Sequence, residues 1–303
     1  MQMMSDTAVV PVRRATDGRV INAMSVDVED YFQVGAFEKT IDRADWDGHD
    51  LRVERNTDRL LELFDARDVS ATFFCLGWVA ERCPQLLQRI VAQGHELASH
   101  GYDHKRVTSL TPESFRADLA KSKKILEDAA GVEIKGYRAP SFSIGATNLW
   151  ALEVLAQEGY AYSSSVFPIQ HDHYGMPDAP RQAFRPNGGS LVEIPMTTTE
   201  LAGRRIACSG GGYFRLLPYG ISKRLMQRVN EHDGASVMFY LHPWEIDTDQ
   251  PRQANAPLLS KFRHYVNLRA MYDKLDQTLR DFHWDRVDRV FLDTGNDSLA
   301  SAA

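Results

Sequence analysis

The chain has 303 residues, 43% hydrophobic and 25% charged, enough to bury the core of one large domain or two smaller ones. Its 35 Lys and Arg against 41 Asp and Glu give a net charge of −6 with no long basic run, which argues against a nucleic-acid partner. No stretch approaches the ~20 apolar residues of a membrane span, the opening "MQMMSDTAVVPVRRATDG" lacks an apolar signal core, and Cys75, Cys83 and Cys208 are too scattered for a disulfide scaffold. A cytoplasmic protein is expected, with any membrane association made through a biosynthetic complex.

In chain order, residues 1–18 read as a tail. The first strand candidate is Val20–Val26, running into "VDVED" with Asp27, Glu29 and Asp30. A helix over Thr57–Ala66 places Leu60, Leu61, Leu63 and Phe64 near one face. Strands follow at Ala71–Cys75 and His95–Ser99. Thr111 and Pro112 mark a helix start. Further strands are Glu133–Tyr137, Tyr160–Ser164, Leu191–Met196 and Ser236–Leu241. Helical patterns over Asn148–Gly159, Ile221–Glu231 and Asn267–Phe282 separate or follow them. Seven strands alternating with helices predict a parallel α/β architecture, either an open sheet or a closed or partly closed barrel. His171–Ser190 and "CSGGGYFRLLPYG" break the rhythm and read as insertions over one face. The last residues, 294–303, read as a disordered tail.

In either architecture chemistry gathers at the carboxyl ends of the strands. Those ends carry Asp27, Glu29 and Asp30, then His100 and His104 in "SHGYDH", Arg138 in "YRAPSF" and His242 in "YLHPWE". Each has a plain structural reading alone: surface histidines, a core histidine, an ion pair. Together, two imidazoles at i and i+4 and a neighbouring carboxylate can hold one divalent ion with positions left open. Strand alternation puts Glu29 on the face of Asp27, while Asp30 sits where the strand turns.

This ordered set resembles the polysaccharide deacetylase (NodB homology) family, carbohydrate esterase family 4, from about Val20 to Phe291. "DVEDYF", "YRAPSFSIG", "YSSSVFP" and "GGGYFRLLPY" look like its subgroup associated with exosortase (PEP-CTERM) exopolysaccharide loci. The resemblance implies a distorted (β/α)7 barrel over residues 19–293, a single domain with insertions over the active-site face and a subgroup-specific part from about residue 165. It further implies removal of N-acetyl groups from amino sugars of a polysaccharide or oligosaccharide, assisted by one divalent ion, Zn2+ first, with Co2+ or Ni2+ as substitutes. Carried over by position, Asp27 is the base, Arg138 its partner, His242 the general acid, and His100 and His104 are metal ligands. The backbone N–H of Phe142 falls at an oxyanion donor. The family's paired aspartates are broken by Val28, so the third ligand is Asp30, which is preferred, or Glu29. The acid that usually orients the final histidine is missing from "YAYSSSV". Tyr31, Tyr213, Tyr240 and Trp244 are candidate substrate contacts, and Gly210–Gly212 either approaches a ligand or is a flexible tip. A small-amide or lipid-linked substrate, or a silent carbohydrate-binding protein, would keep the same fold.

Overall fold

The computed structural model describes residues 10–171 and 175–292. Its centre is strand β1 (Ile21–Val28), buried along nearly its whole length. Such continuous burial is what a parallel strand covered on both faces shows, and here it takes in the polar Asn22, Ser25 and Asp27 as well. β1 pairs in parallel with β2 (Thr72–Cys75), and the sheet continues through β3 (Glu96–Ser99), β4 (Gly136–Tyr137), β5 (Tyr162–Ser163) and β6 (Val192–Glu193). On its other flank β1 pairs with β9 (Met238–Leu241). These are the seven expected strands, all parallel, curled into a distorted barrel.

Among the described residues no ladder joins β6 to β9, and other groups bridge that seam. The Met238 N–H donates to Thr197 Oγ1 at 2.7 Å, and Gly210 forms a parallel bridge with Tyr240. Among the elements outside the sequence reading are the antiparallel hairpin of β7 (Thr198–Leu201) and β8 (Arg204–Ala207), helix α8 (Leu258–Tyr265), and strand β10 (His283–Asp285), which pairs with the start of β1. The expected tail at 294–303, like residues 1–9 of that at 1–18, lies outside the described residues.

Helices cover the outside. α1 (Val53–Asp65) buries Leu60, Leu61, Leu63 and Phe64. The long α4 (Pro112–Ala130) starts on a Thr111–Ser114 capping box and stops at Gly131 in the left-handed region. α5 (Trp150–Gln157) ends two residues before Gly159, also left-handed. Side chains alternate across β1: Met24, Val26 and Val28 join the outer core, while Ala23 joins an inner one with Phe74, Ala98, Tyr162, Met238 and Tyr240. That alternation aims Ser25 and Asp27 into the barrel.

Candidate active site

All five expected catalytic and histidine positions arrive at one rim, four of them because they lie at or just past the end of a strand. Asp27 is the penultimate residue of β1, His100 follows β3, Arg138 follows β4 and His242 follows β9. His104 reaches the cluster from a turn, held at φ 58°. This left-handed conformation is uncommon outside glycine and marks a residue held by its surroundings. Arg43 supplies part of that hold, donating to the carbonyls of Asp103 (2.8 Å) and His104 (3.1 Å).

The carboxylate beside the two histidines is Glu29. Its Oε2 lies 2.9 Å from His104 Nε2 without hydrogen-bond geometry, so a buried carboxylate oxygen is left unsatisfied. One donor atom each from Glu29, His100 and His104 lies within 4.8 Å of the others. His100 Nδ1 is 2.8 Å from the Arg138 carbonyl, which fixes that nitrogen as the N–H and leaves Nε2 with its lone pair. Two imidazoles, one carboxylate and an orphaned oxygen fit a single divalent cation. Burial, against partial opposition from Asp27, lowers His100 to about 4, so its ring is neutral near pH 7. Burial would raise Glu29, but His104, His242 and His100 pull it down to about 2.

Asp30, the preferred ligand of the sequence reading, does not join this group. Its carboxylate accepts the N–H of Arg52 (2.6 Å) and Val53 (2.8 Å) at the start of α1, and that of Tyr31 (2.8 Å). It is spent tying β1 to the helix. Burial nevertheless raises it to about 6 against those bonds.

Arg138 is fully buried and lies 4.0 Å over the Phe74 ring. Its Nη1 donates to Asp27 Oδ1 (2.6 Å) and to Ser25 Oγ (2.8 Å), while Nη2 and Nε reach Ser164. Of the three serines in "YAYSSSV", Ser164 therefore holds the arginine, while Ser165 accepts the Ala139 N–H at 2.9 Å. Asp27 Oδ2 stands 3.9 Å from His242 Nε2.

The partner of His242 is Glu245, three residues further on, whose Oε1 is 2.9 Å from Nδ1. The spacing "HPWE" carried that signal. Arg215, in α6 (Gly211–Leu216), lies 3.7 Å from the other Glu245 oxygen. Burial would lower His242, but Glu29, Glu245 and Asp27 outweigh it and raise the ring to about 9.

Other expected contacts are placed differently. The Phe142 N–H donates to the Ala139 carbonyl at 3.0 Å, so here it closes a tight turn instead of facing an oxyanion. Tyr31 is 1% exposed and packs edge-on against Phe32, inside the core. Trp244 is also buried, stacked between the rings of His242 (5.1 Å) and His264 (4.1 Å). Tyr240 is buried beside His242 and Phe142, and Tyr213 is half-buried. The triglycine is neither tip nor ligand loop. A Cβ on Gly210 would come within 2.0 Å of the Tyr240 carbonyl oxygen, and one on Gly211 within 2.3 Å of its hydroxyl.

Residues 40–163 match the family described as polysaccharide deacetylase. That segment, 124 of the 303 residues, is similar to the polysaccharide deacetylase family. The match contains His100, His104 and Arg138, whereas Asp27 and Glu29 precede it. Residues 164–292, which hold His242 and Glu245, match a domain family of unknown function, DUF3473. The chain is 34% identical over 108 residues to a peptidoglycan-N-acetylglucosamine deacetylase of Bacillus cereus, covering 35% of this chain and 38% of that protein. It is 33% identical over 109 residues to a peptidoglycan deacetylase of Helicobacter pylori, 36% of each. The chain thus spans well under half the length of these curated relatives. A crystal structure from Mycobacterium smegmatis, provisionally assigned as a polysaccharide deacetylase, superposes with a TM-score of 0.61 at 19% identity, over 98% of this chain and 100% of the other. That likeness establishes the barrel as the polysaccharide deacetylase fold. No helix among the described residues is long and apolar enough to cross a membrane.

Proposed function

We propose that the chain hydrolyses the N-acetyl group of an amino sugar within a saccharide, using a divalent cation, Zn2+ first, held by Glu29, His100 and His104. The observation that carries this reading is the clustering of those three side chains beside Asp27 and His242 at one rim. When bound, such a cation supplies Lewis acidity to the amide carbonyl and lowers the pKa of an attacking water. Asp27, anchored through Oδ1 to Arg138, takes the water's proton on Oδ2. His242, held at Nδ1 by Glu245, presents Nε2 to the departing nitrogen and delivers the proton an amine needs to leave. Acetate and a free amino sugar are the products. The subgroup resemblance points to an exopolysaccharide as the polymer.

The test is acetate release from N-acetylglucosamine oligomers by chelated protein and by protein resupplied with Zn2+ or Co2+. Metal-restored release is expected, and Asp27→Asn should lower it by on the order of 100-fold or more with metal content unchanged. Metal bound without acetate release from any acetylated oligomer would move the reading to a small or lipid-linked amide. Protein that binds no metal but still binds the oligomers would overturn it in favour of a silent carbohydrate-binding role.

A further inference from the structure

Helix α8 faces two ways. Its inner side presses His264 onto Trp244 (ring centroids 4.1 Å apart) and Phe37 (4.6 Å), directly behind His242. Its outer side carries Leu258 at 84% exposure, Leu259 at 57% and Phe262 at 56%. Leu258 and Phe262 are four apart and share a face. These are three of the six large apolar side chains exposed among the described residues. A fourth, Leu216, belongs to α6, whose Arg215 is bound to the end of α8 through the carbonyls of Arg263, His264 and Val266. The apolar face therefore stands on a rigid support.

Charge is segregated in the same place. From Gln250 to Tyr272 the chain contains Arg252, Lys261, Arg263 and Arg269 and no Asp or Glu, although its net charge is −6. Arg252, Arg263 and Arg269 are exposed and Lys261 is half-buried. We propose that this face docks on an anionic lipid bilayer, with Leu258, Leu259 and Phe262 entering the headgroup boundary and the four cations meeting lipid phosphates.

Three features favour a bilayer. Cations and large apolar side chains alternate along one short helix, the pattern of interfacial segments, whereas the centres of protein interfaces are depleted of charge. Leu258, the first residue of the helix, keeps 84% of its surface in solvent and is free of intramolecular cover. A symmetric dimer through this patch would set four cations against the same four. Nothing here requires a membrane-spanning helix. The proposal goes beyond the hydrolytic reading and is independent of it, although docking would hold the cleft close to saccharides anchored at the surface.

Sedimentation of the full chain with vesicles tests it, comparing mixed phosphatidylglycerol–phosphatidylcholine with phosphatidylcholine alone. Binding is expected to the anionic vesicles only, and to weaken as NaCl rises from about 0.1 to about 1 M and the screening length falls from ~10 to ~3 Å. The triple variant Leu258→Ser, Leu259→Ser, Phe262→Ser should partition on the order of 100-fold less with its melting temperature unchanged. A second variant, Arg252→Gln with Arg269→Gln, should lose anionic selectivity while leaving the apolar face intact. Three outcomes would overturn the proposal: no sedimentation with anionic vesicles, binding that survives both variants, or a concentration-dependent dimer that the triple variant abolishes. None of these readouts uses turnover, so a failed acetate assay and a failed vesicle assay remain distinguishable.

Discussion

His242 is held from several directions, and only one of them carries a negative charge at its far nitrogen. Glu245 meets Nδ1 at 2.9 Å, Trp244 stacks on the ring, and Tyr240 abuts it edge-on. A carboxylate at Nδ1 fixes the tautomer that leaves Nε2 facing the reaction and stabilises the ring when it is charged. Glu245→Gln keeps the shape and removes the charge. We expect kcat to fall by about 10–100-fold, the usual cost of a supporting partner, while KM and bound metal stay unchanged. Parallel measurement of kcat, KM and metal content checks this; a matching loss of metal would mean that the glutamate acts on the cluster. Asp27, His100, Arg138 and His242 were legible because each lies where a strand gives out. The choice of Glu29 over Asp30 was not, since it depends on two backbone N–H groups at Arg52 and Val53, more than 20 residues away. Alternation along β1 pointed to Glu29, but local pattern could not see what already occupied Asp30.

At the scale of elements, the triglycine explains how the barrel closes near its weakest seam. Gly210 adopts φ 110° and ψ −176°, a region essentially reserved for glycine, and bridges to Tyr240 of β9. Gly210→Ala adds both strain and a clash with that strand's backbone, about 3 kcal/mol or more together. Melting should drop by roughly 5–10 °C, and acetate release should fall with it because Tyr240 adjoins His242. Gly212→Ala is the control: its Cβ would meet only Arg215 Nη2, at 3.9 Å, so stability should barely change. Differential scanning calorimetry of the two variants decides the matter, and equal melting would refute the close-approach account. The seven barrel strands were legible as β-rich runs between helical patterns, but their count fitted an open sheet as well as a barrel, and the barrel came from the family resemblance. The β7–β8 hairpin was not, for its strands are only four residues each and its turn is Ala202–Gly203, without the Asn-Gly or Asp-Gly signature. β10 has three residues and α8 eight, too few for periodicity to register.

Over the whole molecule, the two matched segments meet near residue 163, yet the barrel does not divide there. β9 and β10 belong to the second segment and pair with β1, on the far side of the first. The floor of the barrel is tied in the same way by one buried acid, Glu96 of β3. Its carboxyl accepts from the hydroxyls of Thr72 in β2 and Tyr162 in β5 (2.9 Å for the latter), and from the N–H of Asp288 (3.2 Å) in α10 (Val287–Phe291). Burial, reinforced by the charge of Asp288, raises Glu96 to about 8 from an ordinary 4.5, against the hydrogen bonds that favour its ionised form. The folded chain therefore keeps a proton that the unfolded chain has released between pH 4.5 and about 8. Since the native state binds more protons in that window, this group's contribution is full below pH 4.5 and is lost as pH rises towards 8. The loss is on the order of a few kcal/mol. His95, lowered to about 4 chiefly by burial, works in the opposite sense, adding stability as pH rises from 4 to 6.5. The Glu96 contribution must accordingly be read as a difference. Urea unfolding of the wild type and Glu96→Gln across pH 5 to 8.5, a range of about 3.5 units, isolates it. The variant should be the less stable at pH 5, and the gap should close or reverse by pH 8.5, because the amide carries no proton to lose. Parallel pH profiles for the two proteins would mean that Glu96 is ionised in the fold, its charge met by Thr72, Tyr162 and the start of α10.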